Sequence, residues 1–241
     1  MIETIDNVVP KEKWEFDSDV ADCFENMLQR SIPQYDVMRD SSARLIKDIL
    51  RLTNKTDNFN LLDIGCSDGL MIEKLLQTLD NKGKYIGIDV SEPMIEKARC
   101  RFLNNFNVNI NYCDIRTDFP KNSYDVITAI LSIQFTPIEY RQAIISNIYE
   151  NLVPDKGCFI MVEKVLGNTH RLNELFVDNY YTLKKEHGYS QDQIDRKKLS
   201  LEGVLVPVTS DWNIDLLKQA GFREVDVFWR WMNFVGYIAI K

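Results

Sequence analysis

Histidine is scarce in this chain: His170 and His187 are the two present in 241 residues, and neither falls in a close cluster of potential metal ligands. A dedicated zinc site is therefore not expected. The five cysteines, Cys23, Cys66, Cys100, Cys113 and Cys158, are dispersed and odd in number, which speaks against a disulfide framework. Neither a signal-peptide pattern nor an apolar run of about eighteen residues occurs, so a reduced, cytoplasmic protein without a membrane segment is expected. Two glycine signatures are also missing. The chain contains neither the three spaced glycines of a dinucleotide site nor a phosphate-cradling loop ending in lysine. Basic residues number 29 against 36 acidic ones, a formal charge of −7, which favours solubility and argues against broad, nonspecific binding to nucleic acid. The length and the 45% hydrophobic content suit one large core.

What is present is an apolar strand that runs into a glycine turn, Leu61-Leu62-Asp63-Ile64-Gly65-Cys66-Ser67-Asp68-Gly69. Leu61, Leu62 and Ile64 suit a buried parallel strand. Gly65 permits a tight turn with an open backbone surface, and Gly69 is expected to let the next helix begin near the same ligand. That helix, from about Asp68 to Leu79, places Leu70, Ile72, Leu75 and Leu76 at sheet-covering spacings. A second strand, Lys84-Tyr85-Ile86-Gly87-Ile88-Asp89, ends in an acid. A carboxylate at that position can accept from both hydroxyls of a ribose. Ser91 is the expected N-cap of the following helix, with Pro93 tolerated in its first turn. A nucleoside without pyrophosphate fits this pattern better than NAD.

In this order the residues resemble a class I S-adenosylmethionine-dependent enzyme. The resemblance implies that Asp63, Gly65, Cys66 and Ser67 surround the methionine part of the cofactor. It also implies that Asp89, Val90 and Met94 lie about the ribose, and that Asp114 and Ile115, in Cys113-Asp114-Ile115-Arg116, accept from and pack beside adenine. The cofactor is then S-adenosyl-L-methionine, S-adenosyl-L-homocysteine or carboxy-S-adenosyl-L-methionine. Strands are expected near 60–64, 84–89, 108–112, 124–131, 157–163, 223–230 and 233–240, with helices between the first five. A turn at Trp231-Met232-Asn233 makes the last pair antiparallel. The expected fold class is thus α/β, a Rossmann-like class I methyltransferase fold with a mixed seven-stranded sheet, forming one S-adenosylmethionine-binding domain over 1–241. Two segments fall outside that minimum: a helical cover over 16–52, where Val20, Phe24, Met27 and Leu28 make an apolar stripe, and a helical insertion over 168–206.

With these segments included, the chain resembles carboxy-S-adenosylmethionine synthases over nearly its full length. Phe16-Asp17, the run from Met27 to Tyr35, Asp63 to Ser67, Cys113 to Arg116, Gln134-Phe135, Glu163-Lys164, Gly188-Tyr189-Ser190 and Asn233-Phe234 carry the likeness. That family puts a carboxyl group from prephenate on the cofactor's methyl carbon, and its product modifies a wobble uridine of tRNA. The resemblance further implies a homodimer whose insertion lends a charged residue to the partner's pocket. The family has an arginine there that grips the new carboxylate, and at its position this chain has Lys198, a point charge without a planar fork. At the family's fourth-strand asparagine it has Ile130. These departures place methyl transfer to an unidentified, small-molecule acceptor first, and carboxy-S-adenosylmethionine synthesis second. A non-catalytic nucleoside-binding protein is third. Arg30, Tyr35, Tyr189 and Lys198 are the candidate catalytic residues, with Tyr35, Ile130 and Lys198 also expected at the cofactor. The basic run Arg196-Lys197-Lys198 is otherwise expected to face water, and Tyr180, Tyr189, Trp229 and Trp231 to line an acceptor pocket or form core or dimer contacts.

Overall fold

Alternating apolar segments at strand and helix spacing assemble into a central sheet with helices on both faces. The computed structural model describes residues 5–241. Its strands are β1 (Asn60–Ile64), β2 (Lys84–Asp89), β3 (Val108–Tyr112), β4 (Val126–Ile130), β5 (Cys158–Leu166), β6 (Val208–Thr209), β7 (Glu224–Trp231) and β8 (Phe234–Ile240). The order along the sheet is β3-β2-β1-β4-β5-β8-β7. The first five run parallel, and β8 lies antiparallel between β5 and β7. All seven expected strands are present. The eighth, β6, was not expected; its two residues pair with Val165 and Leu166 at the end of β5, too short a run to show a period in the sequence.

Alternation along the strands divides the core. Leu62, Ile127 and Phe159 face one side and pack with Ile144 of α6 (Ile138–Asn151) and Leu217 of α9 (Ser210–Ala220). Leu61, Val126 and Ile160 face the other and meet Ile46 of α3 (Tyr35–Leu52), Leu75 of α4 (Leu70–Thr78) and Ile95 of α5 (Glu92–Arg101). Ser91 caps α5 as expected, its hydroxyl accepting from the Met94 N–H. The same hydroxyl donates to the Phe16 carbonyl, tying the β2–α5 turn to the amino-terminal cover. Gly221 ends α9 in the left-handed conformation.

The cover consists of α1 (Ser18–Asp22), α2 (Phe24–Ser31) and α3. Its apolar stripe is buried as expected: Val20, Phe24 and Met27 pack with Trp14, Leu70 and Met94. The insertion forms α7 (His170–Glu186) and α8 (Gln191–Leu201), the latter opened by a capping box between Ser190 and Gln193. The backbone N–H of Trp14, whose ring packs on the cover, donates to the Ser200 carbonyl of α8, so the cover and the insertion meet over the carboxyl ends of the parallel strands.

Gly69 immediately precedes α4, whose first residue lines a cavity described below, and its small size has a further reason. It holds φ at +88°, and a Cβ there would run into the ring of Phe102. The residue is small because helix α5 packs on it, and it lines neither cavity described below. Among the described residues no helix is long and apolar enough to cross a membrane.

Candidate active site

The sheet order reverses at β1, with β2 on one side and β4 on the other. Strand ends splay apart at such a point and leave a crevice. Gly65 sits at its base: its N–H and that of Cys66 donate to the Ile88 carbonyl at 2.8 and 3.0 Å. Ser132 crosses from β4 and donates to the Ile64 carbonyl at 2.8 Å. With φ at +67° and Ser132 where a Cβ would project, only glycine fits at position 65.

Two cavities open from this point and share Gly65 and Phe135 in their walls. The first lies over β2 and β3 and is lined by Asp89, Val90, Asp114, Ile115 and Arg116. Asp89 accepts from the N–H groups of Ser67, Val90 and Ser91 at 2.9, 2.7 and 2.9 Å. Burial nevertheless raises its pKa, against those three donors. Asp114 grips its own neighbour: the Arg116 guanidinium donates Nε to both carboxylate oxygens at 2.8 and 3.0 Å. That hydrogen bond holds the Asp114 carboxyl below the usual range.

The second cavity lies under the cover and the insertion. Tyr35, Asp63, Gly65, Cys66, Ser67 and Ile130 all line it, so the expected methionine-end residues are brought together. Asp63 is buried and accepts from the Thr128 hydroxyl at 2.6 Å. Burial pushes its carboxyl up to about 7. Cys66 is a packing residue: burial drives its thiol well above the ordinary value, away from reactivity. Two further wall residues were not singled out from sequence. Arg39 and Asp68 each leave one buried polar atom without a partner, Nε and Oδ1. Arg39 lies one helical turn beyond Tyr35, its guanidinium carbon 4.6 Å from that ring's centroid, so the i, i+4 spacing from Tyr35 would have pointed to it.

Several expected site residues lie elsewhere. Met94 is fully buried in the cluster beneath the cover and lines neither cavity; it faces inward because α5 presents that side to Trp14 and Leu70. Arg30 and Tyr189 form a brace behind the wall. The Arg30 guanidinium stacks 4.0 Å from the centre of the Tyr189 ring and donates to the carbonyls of His187 and Asp6. The Tyr189 hydroxyl donates to the Asp6 carboxylate, and both hydrogen bonding and burial raise its pKa. Asp6 is wholly buried and also receives the Lys197 ammonium. Of the run expected to face water, Lys197 is therefore buried in this ion pair and lines the second cavity. Lys198 is exposed, 5.9 Å from the Tyr181 ring, and lines neither cavity of its own chain. Of the aromatic residues, Tyr180 lines the second cavity while Trp229 and Trp231 pack beside it.

A strand order of this kind, with a carboxylate at the end of β2 and a glycine turn after β1, defines a class I S-adenosylmethionine-dependent transferase. A methyltransferase domain family matches residues 61–155. The plantazolicin methyltransferase BpumL, solved with S-adenosylhomocysteine and a triazolic desmethylplantazolicin analogue, shares the fold at a TM-score of 0.65 and 18% identity, over 90% of this chain and 89% of that one. Human N-acetylserotonin methyltransferase, in complex with S-adenosylmethionine, does so at 0.58 and 14%, over 93% and 55%. Much nearer in sequence is the carboxy-S-adenosyl-L-methionine synthase of Nautilia profundicola, 36% identical with 96% of each chain covered. That of Methylococcus capsulatus is 33% identical over 94% and 93%. The chain belongs to the carboxy-S-adenosyl-L-methionine synthase family.

The contrast between Lys197 and Lys198 is testable. Removing Lys197 leaves the Asp6 carboxylate buried and unpaired, so Lys197→Met is expected to destabilise by about 3–5 kcal/mol in denaturant melts at neutral pH. Lys198→Met should stay within about 0.5 kcal/mol of the parent. Burial alone would raise the Asp6 pKa, but the hydrogen bonds from Lys197 and Tyr189 outweigh it and the value is lowered. The stability from this group is present above the unfolded carboxylate value and is lost as pH falls through the folded one.

Proposed function

We propose that this protein is a carboxy-S-adenosylmethionine synthase, placing a carboxyl group from prephenate on the methyl carbon of S-adenosylmethionine. The observation that carries the reading is the second cavity: it adjoins the nucleoside crevice at Gly65, is roofed by the cover and the insertion, and has cationic groups in its wall. Such a recess suits a small anion held against the methionine end of a cofactor. The residues present fit that cofactor. Asp89 turns a carboxylate toward the cavity over β2, where a ribose diol would donate to it. The unpartnered Arg39 Nε and Asp68 Oδ1 offer a donor for an α-carboxylate and an acceptor for an α-ammonium, the two ends of a methionine tail. When bound, the sulfonium cofactor supplies the activated methyl carbon. The chain's own residues orient it and exclude water by closing the cover over it.

Transfer of the methyl group itself to a small acceptor is the second reading. Ile130 favours it, because an isoleucine lines the cavity where the family's asparagine would supply a polar contact. Both readings need the same cofactor site. Asp89→Ala is expected to weaken S-adenosylhomocysteine binding about tenfold to a hundredfold by calorimetry, the loss of a charged hydrogen-bond acceptor. Unchanged affinity would remove Asp89 from the site. To decide between the reactions, the purified protein is incubated with S-adenosylmethionine, with and without prephenate, and the cofactor is weighed by mass spectrometry. A prephenate-dependent gain of a carboxyl group is the expected result. No gain of a carboxyl group, with loss of the methyl group to an added acceptor and formation of S-adenosylhomocysteine, would reverse the order.

The same reading assigns the protein to the cytoplasm and its product to modification of a tRNA wobble uridine. It also makes the chain a homodimer in which Lys198 approaches the partner's cavity. Its support is the exposure of Lys198 and of Leu199 beside it, the latter 66% exposed. Light scattering at micromolar concentration should find a dimer, and Lys198→Gln should raise the KM for prephenate while leaving the dimer intact. A monomer with full activity would overturn the shared site.

A further inference from the structure

An acidic chain, −7 overall, keeps an excess of positive charge in the wall of the cavity under the cover and the insertion. Lys164 stands near the end of β5, where strand alternation sends Glu163 to the opposite face, toward Arg141. Burial pushes that Glu163 carboxyl up to about 8. The Lys164 ammonium lies 4.5 Å from the centroid of the Tyr180 ring on α7 and 5.9 Å from that of Phe234 on β8. Lys184 follows Tyr180 by one helical turn and is 6% exposed, 5.6 Å from the Tyr180 ring and 4.9 Å from Tyr189. Both lysines line the cavity that also holds Tyr35, Asp63 and Gly65. Neither side-chain ammonium makes a hydrogen bond or ion pair with any described residue, although the Lys164 backbone N–H donates to the Gln134 side chain.

This arrangement is costly without a ligand. An ammonium withdrawn from water without a counterion loses more hydration than the attraction of aromatic faces returns. The charged groups around Lys184 do not supply the missing anion. Lys164 on β5, Lys197 on α8 and Arg30 on α2 repel it, and Asp6 alone attracts it. Asp6 is already engaged by Lys197 and Tyr189. Desolvation consequently depresses both amines, Lys164 to about 8 and Lys184 to about 7.

We infer that Lys164 and Lys184 form a carboxylate-binding subsite for the second small-molecule substrate, supplied from within the subunit and independent of Lys198. The inference rests on the synthase reading for the identity of that substrate. Tyr180 has the two amines 4.5 and 5.6 Å from its ring centroid, so its ring offers a flat face beside the bound carboxylate. The pair provides two point charges in the same wall as Ile130, where that residue offers no polar contact. An anion entering the recess restores the pKa of both amines, and its binding is therefore strongest when they are protonated.

The test uses the full chain loaded with S-adenosylhomocysteine and titrated by calorimetry with prephenate and with phenylpyruvate, a monocarboxylate probe. Lys164→Gln and Lys184→Gln are each expected to raise the prephenate Kd by about tenfold or more. S-adenosylhomocysteine affinity and the circular dichroism spectrum should stay at parental values, while Lys184→Arg restores part of the binding. For the parent, affinity should fall as pH rises through about 7–8, where the amines lose their protons; Lys184→Gln should flatten that slope. A parent protein that binds neither carboxylate, or Gln variants with unchanged Kd, would overturn the subsite. Lysine-dependent binding of prephenate without carboxylated product would uphold the subsite and overturn the reaction. Carboxylated product with prephenate KM unaffected in both variants would do the reverse.

Discussion

The site depends on one close approach of backbone. Gly65 leaves β1 with its N–H fixed to the Ile88 carbonyl, while Ser132 arrives from β4 to bond the carbonyl of Ile64. No side chain fits between them. Because β1 is where the sheet order reverses, these three strand ends define a single crevice, and both cavities begin there. A Cβ at position 65 would separate β4 from β1 and with them the two halves of the site.

A second constraint closes the crevice. Asp6 gathers the Lys197 ammonium, the Tyr189 hydroxyl and the Val8 N–H around one buried carboxylate, and Arg30 bonds the Asp6 carbonyl while stacking on Tyr189. The amino-terminal segment, the cover and the insertion are thereby joined through one polar knot. A knot of this kind contributes less to net stability than to geometry, since its charges must first be stripped of water. Its geometric consequence is to fix α7 and α8 over the strand ends. It also leaves Lys184 and Lys164 facing inward without an acid to neutralise them. Structural and binding cations thus lie side by side, separated by whether Asp6 reaches them.

Much of this was legible in the sequence. Strand periods, the glycine turn and the acids at 63, 89 and 114 are local features, and each arose from a short-range rule: alternation for burial, positive φ for glycine, a carboxylate at a strand's carboxyl end. The antiparallel end of the sheet followed from the short turn at Met232. Errors came where a side chain's partner is distant in sequence. Met94 turns into the core beneath the cover, and Tyr189 is held by a residue 183 positions earlier.

The sequence by itself therefore determined the fold class, the order of the strands' chemistry and the cofactor crevice, because those depend on residue types at fixed local spacing. Tertiary structure alone decided which members of a charged run are buried: Lys197 and Lys198 are neighbours of identical chemistry, yet α8 turns one inward to Asp6 and the other out to solvent. It alone placed Arg39, Asp68, Lys164 and Lys184 around one cavity, drawing them from α3, the β1–α4 turn, β5 and α7. A helix presents successive residues about 100° apart, so the sequence states which charges exist, and only packing states which of them lose their water.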